Sequence, residues 1–428
     1  MILLKILQRH VDEAVVVKTR IRNYMVRFAN DEITVFKNWD VENTYIYLAK
    51  GRKTTSLSVT GTPDFVQIEE AMKRLASLPE DPLYVPVEGP RPPTRRESPE
   101  DFEKLPDLVK KAVDSAAGVE RSAGVVNLAY VEVEYEDSAG RGGQYAVNRV
   151  YMAMRSFLGE LSATAAIAGR RVADIKAEKL GEENSQLLSL AKGLPQRRIE
   201  HTKADLLLSP LVFGHLVGGL MHFWTNGSEV VANSSRYTKE DVGRQVASEL
   251  LTVVEKTYDE SAHGYVPFDF EGTPPRPVEV YSRGVLSGFI HTRRTAHALG
   301  MEPTGHALYG WASPVPGHVE VAPGDGPADL GALLADLRNG FYIHNNWYTR
   351  YQNVKTGQFS TVGRDIALEV KDGKPVAVVK YIRIADTMEN IVKNVAELSK
   401  ASNQVYWWDM PAPANAPYAI IRQIGVTT

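Results

Sequence analysis

The chain has 428 residues, 43% hydrophobic and 24% charged, the proportions of a folded soluble protein and not of a disordered one. Its 49 Lys and Arg against 52 Asp and Glu leave a net charge of −3, so no global positive field draws it to nucleic acid or anionic lipid. It contains no cysteine, which excludes disulfides, thiolate nucleophiles, iron–sulfur clusters and cysteine zinc sites. Any metal would need histidine and carboxylate ligands.

The opening "MILLKILQRHVDEAVVV" is broken by Lys5 and Arg9 before an apolar core of useful length forms. No secretion signal is expected, and together with the lack of cysteine this leads to a cytoplasmic expectation. A soft prior of roughly 150 residues per domain suggests two or three domains. From Val15 to Thr60, β-branched and aromatic residues alternate with polar ones and are broken at Asn30–Asp31 and Gly51, which predicts three or four antiparallel strands. Phe65, Ile68, Met72 and Leu75 then fall at helical spacing behind Thr62–Pro63, and the helix stops by Pro79.

The proline-rich "PEDPLYVPVEGPRPPTRRESPE" continues neither helix nor central strand and reads as a linker. Beyond it come a helix near Leu105 to Ser115, a strand pair turning at Gly140 to Gly143, and a helix in "DIKAEKLGEENSQLLSLAKGLP". The last part holds short strands and an amphipathic helix at "TMENIVKNVAELSKA". The expected fold class is α+β and multidomain, with antiparallel sheets, helices on one face and a β-rich C-terminal domain. The expected division is residues 1–80, a linker at 81–100, a middle α+β domain at 101–199 and a β-rich domain at 200–428.

Leu206 to Ser228, "LLLSPLVFGHLVGGLMHFWTNGS", has no charged residue. Its length suits a membrane span, but Ser209–Pro210, His215, His222 and Thr225–Asn226 weaken that reading, and no Lys or Arg cluster flanks it. A buried helix fits better, with glycines where another backbone packs closely. A metal shared by His215 and His222 is disfavoured: seven helical residues rise roughly 10.5 Å, whereas zinc–nitrogen bonds are about 2.0 to 2.1 Å. Buried histidines satisfied by hydrogen bonds are the simpler account.

Asp269 and Glu271, two apart, share a face if extended and could do acid/base work, although tight-turn chemistry before Gly272–Thr273–Pro274 explains them more simply. His291, His297 and His306 crowd one region without a local metal spacing. The run His344, Asn345, Asn346, Trp347, Tyr348, Arg350 and Tyr351 offers amides and rings to a peptide backbone. The competing account is a polar loop capping a sheet. Single-stranded nucleic acid would need a basic groove that this composition does not supply.

Three stretches, "FANDEITVFKNWDVENTYIYLAKGRKTTSLSV", "GLPQRRIEHTKADLLLSPLVFGHLVGG" and "VPFDFEGTPPRPVEVYSRGVLSGFIHTRRTAHALGMEPTGHA", resemble the TldD/PmbA (TldE) family nearly end to end. The resemblance implies a two-subunit peptidase whose catalytic TldD subunit carries H-E-x-x-x-H, two zinc-binding histidines and a glutamate base, with a late cysteine as third ligand. Superposition places Gly214 and Gly219 on the histidines and His215 on the glutamate, and "VYWWDMPAPANAPYAII" where the cysteine would stand. The expectation is a TldE-like subunit without catalytic residues or metal, paired with a zinc-bearing TldD-like subunit to act on unfolded peptides. Its possible substrate contacts are His222, Asp269, Glu271, His344, Asn345, Asn346, Trp347, Tyr348 and Arg350. A homodimer of the isolated chain stays open. The rivals are an autonomous hydrolase using His215, His222 and a distant carboxylate or His344, and a non-enzymatic scaffold.

Overall fold

A computed structural model describes residues 2–428. The chain is α+β, and among the described residues it forms two large sheets. The first has seven strands. Glu13–Ala29 and Glu32–Lys50 form a long hairpin through Asn30 and Asp31, both at positive φ (51° and 66°), the two-residue turn their short polar side chains tolerate. Lys53–Thr60 continues this meander.

On its other side Glu13–Ala29 pairs with Arg121–Asp137, in register from Val15 opposite Asp137 to Ala29 opposite Ala123. Gly142–Leu158 and Leu161–Gly169 follow. Residues before and after the proline-rich segment therefore share one sheet. That segment lies against the sheet rather than apart from it, and Thr94–Arg96 pairs with Gln144–Ala146.

The pleat divides this sheet's side chains by period two. Val16, Val26, Val126, Val150 and Met152 point to one face, under the helices Phe65–Ser77, Leu105–Asp114 and Ala177–Ala191. Val15, Val17, Val133 and Val147 point to the other and pack on Phe268, Phe270 and Leu308 of the C-terminal part. The first helix is capped by Asp64, whose carboxylate accepts from Gln67 N–H while Gln67 reaches back to Asp64 N–H. The helix thus starts at Phe65, two residues beyond the predicted Thr62–Pro63.

The second sheet has fourteen strands and is mixed. Its central strand, Ala414–Thr427, pairs with Thr202–Leu208, Val395–Val405, Arg383–Thr387 and, in parallel, Val319–Val321. Two sequence expectations change here. Leu206 to Leu208 of the uncharged run are the end of a strand, and the helix covers Pro210–Phe223, 14 residues. No helix among the described residues is long and apolar enough to cross a membrane. The amphipathic helix expected at 387–401 is only Met388–Lys393; Val395–Val405 is a strand, because pairing with Ala414–Thr427 satisfies its backbone while Val395 and Leu398 remain buried.

Candidate functional site

The Pro210–Phe223 helix begins where the sequence supplies a cap. Ser209 Oγ accepts from Val212 N–H at 3.3 Å and donates to the His344 carbonyl at 2.6 Å, and Pro210 takes the first helical position. At the other end Trp224 Nε1 donates to the Val354 carbonyl at 2.6 Å. The two ties lay the hairpin Asn346–Asn353/Gln358–Gly363 along the helix.

Helical spacing then decides what each residue meets. Gly214 and Gly218, four apart, face the central strand and the segment before it. A Cβ on Gly214 would lie 2.8 Å from Ala414 Cβ, and one on Gly218 3.5 Å from Pro411 Cγ. His215 and Gly219, also four apart, face the hairpin: a Cβ on Gly219 would lie 2.0 Å from Tyr351 Oη. Both positions that carry zinc ligands in the resemblance are filled by neighbouring side chains, an alanine methyl and a tyrosine hydroxyl.

His215 is buried, with Nδ1 unpartnered. Burial lowers its pKa to about 4, and only Asn346 pulls the other way. His222 sits at the half-buried end of the helix with its ring edge-on to Phe223, and burial lowers its pKa as well. His344 Nδ1 is 2.7 Å from the Tyr342 hydroxyl, while Nε2 has no partner. Among the described residues no three His, Cys, Asp or Glu are grouped to hold a metal ion. The residues on this helix do not supply the ligands that the zinc motif of the catalytic subunit would need at these positions.

The run at 344–351 separates into a buried and an exposed part. His344, Asn345 and Asn346 are buried; Asn345 Nδ2 donates to the Thr164 carbonyl at 3.1 Å and Asn346 Nδ2 to Thr361 Oγ1 at 3.0 Å. The Oδ1 atoms of both asparagines are unpartnered. Trp347 is half-buried beneath Arg364, whose guanidinium lies 4.9 Å from its ring and 5.2 Å from that of Trp407. Tyr348, at φ 53°, and Arg350 reach the surface, and Tyr348 N–H donates to Asp409 Oδ2 at 2.8 Å.

Asp269 and Glu271 do not join this group. Asp269 accepts from the N–H groups of Glu271, Thr273 and Ala307, each at 2.9 Å, so its carboxylate builds the turn. Glu271 accepts from Arg293 N–H at 2.8 Å, at the start of the helix Arg293–Leu299. Burial raises both pKa values, and Asp269 adds to the rise at Glu271.

The histidines at 291–306 also disperse. His291 lies 3.3 Å from Thr295 Oγ1, while His306 bonds Thr304 at 2.8 Å and Glu255 at 2.5 Å. Burial opposes the charge on Glu255, yet His306, the His318 N–H and the Thr257 hydroxyl bring its pKa down to about 2. Sequence reasoning missed this pair, since 51 positions separate its members.

The comparisons follow the same lines. The sequence model of a family described as the PmbA/TldA metallopeptidase C-terminal domain matches residues 201–428. The metalloprotease MJ0996 of Methanocaldococcus jannaschii is 26% identical over 226 residues, 51% of this chain and 48% of that protein. The metalloprotease PmbA of Escherichia coli O157:H7 is 27% identical over 149 residues, 33% and 32% of the two chains. These matches span about half or less of the relatives' length. The crystal structure of TldE from Thermococcus kodakarensis has the same fold, with a TM-score of 0.81 at 17% identity, covering 100% of this chain and 99% of that one.

Proposed function

This chain belongs to the PmbA/TldD (TldE) metallopeptidase family, and we propose that within it the protein is a subunit without catalytic residues of its own. In this reading it pairs with a zinc-bearing TldD-like subunit in the cytoplasm, walls the chamber and orients unfolded peptides. One observation carries the reading: Gly214 and Gly219, which the resemblance aligns with the ligand positions, are packed against Ala414 and Tyr351, and the chain has no cysteine. A hydrolytic zinc needs three fixed ligands, an open position and a base that is not a ligand. The exposed Tyr348 and Arg350 are the groups of the 344–351 run available to an extended peptide.

Zinc content and cleavage of an unfolded peptide test this, measured for the chain alone and then mixed with a TldD-like chain of the same organism. The expected result is neither zinc nor cleavage alone, and a complex that cleaves when mixed. Stoichiometric zinc with activity in the isolated chain would establish an autonomous hydrolase instead. Failure to form any complex would leave a scaffold.

A further inference from the structure

A cavity of about 330 Å³ lies between the first sheet and the C-terminal domain. Tyr145, Arg149 and Tyr151 reach it from one face of Gly142–Leu158, as the period-two pleat requires. His263, Tyr309 and Tyr406 close the other side. The wall also includes Pro411, which lies beside Gly218 of the Pro210–Phe223 helix.

The charge inside is unbalanced. Arg149 is the only Lys or Arg lining the cavity, and no Asp or Glu lines it. Its Nε is buried without a partner, and among the described residues no carboxylate makes an ion pair with it. His263 supplies no negative charge: its Nδ1 is held by the Gly169 carbonyl at 2.9 Å, its ring stacks on Tyr406 at 5.2 Å, and burial followed by the charge of Arg149 lowers its pKa to about 3, so it stands there as a neutral ring. Tyr406 in turn meets Tyr151 edge-on at 5.4 Å.

A guanidinium in a half-buried aromatic setting is unfavourable without an anion, and its planar fork matches a carboxylate in two parallel hydrogen bonds. The volume suits a few residues of chain, and the rings suit flat amides and apolar side chains. A lone cation in a chain of net charge −3 is poorly matched to a polyphosphate backbone.

We propose that this cavity is a carboxylate-binding subsite, in which Arg149 anchors the anion and the tyrosine walls receive the adjoining apolar part of a peptide. That the ligand is a peptide rests on the function proposed above. The carboxylate is either the peptide's C-terminus or an Asp or Glu side chain.

Fluorescence anisotropy with the full chain, without zinc or partner, separates these. Three labelled apolar peptides of one sequence are compared: a free C-terminal acid, its amide, and the amide with one internal Glu. The wild-type chain is expected to bind at least one acid about tenfold more tightly than the plain amide. Arg149→Gln is expected to reduce that acid to the amide's affinity. Preference for the free acid identifies the C-terminus; preference for the internal Glu identifies the side chain. Equal binding of all three by the wild-type chain, or no binding of any, overturns the subsite. The comparison of acid with amide needs no variant, so it stands even where Arg149→Gln fails to fold. Its failure would leave the zinc and assembly measurements untouched, and their failure would leave it readable.

Discussion

The Tyr351 hydroxyl lies over Gly219 and is buried without a hydrogen-bond partner. A methyl at Gly219 would force that hydroxyl, and the ring between Phe223 and Phe359, to move. Gly219→Ala is therefore expected to lower stability by about 1–3 kcal/mol. Tyr351→Phe should change it by less than about 1 kcal/mol, and the double variant should recover most of the loss in urea unfolding; no recovery would place the strain elsewhere. The buried histidines set a second expectation. Burial lowers His215, His291 and His318 to about 4 in the folded chain, whereas unfolded imidazoles titrate near about 6.5. Between those values the unfolded chain binds more protons, so stability is complete above about pH 6.5 and is lost as pH falls toward about 4. Melting temperature should drop across that window, and His215→Gln should make the drop shallower than in the wild-type chain.

At the scale of elements, the Pro210–Phe223 helix is held by its two ends. Ser209→Ala removes both the cap on Val212 N–H and the bond to the His344 carbonyl. The expected cost is about 1–2 kcal/mol in denaturant unfolding, and a change within a few tenths would show the hairpin to be positioned by packing alone. Elements with local signals were legible from sequence. Asn30–Asp31 marks its own hairpin. The segment after Met388 was not, because Ile391, Val395 and Leu398 fall at helical spacing, and the alternation of the competing strand is broken by a register shift after Val395. The partner Ala414–Thr427 decided between them. Likewise Asp269 is legible as a turn residue, but its third donor, Ala307 N–H, comes from a distant loop.

For the whole molecule, the sheet shared across residues 81–100 has a direct consequence. Residues 1–80 alone would expose the entire edge of Glu13–Ala29, which pairs with Arg121–Asp137 along nearly its full length. Expressed alone, this fragment is expected to aggregate or to lack a cooperative melting transition by circular dichroism. A soluble, cooperatively folding fragment would show that the hairpin and the helix Phe65–Ser77 suffice as a core.

The sequence by itself determined the α+β class, the first meander, the family resemblance and the glycines at Gly214 and Gly219. Each of these rests on local periodicity or an ordered motif, and so can be read along one strand of text. Tertiary structure alone decided that one sheet spans the proline-rich segment, that Ala414 and Tyr351 fill the spaces beside those glycines, and that Asp269 and Glu271 lie away from His215. It also left Arg149 in an aromatic cavity without a carboxylate. These depend on which distant backbones pair and which side chains then meet, and pairing partners as far apart as Thr202 and Val426 leave no spacing in the sequence to find.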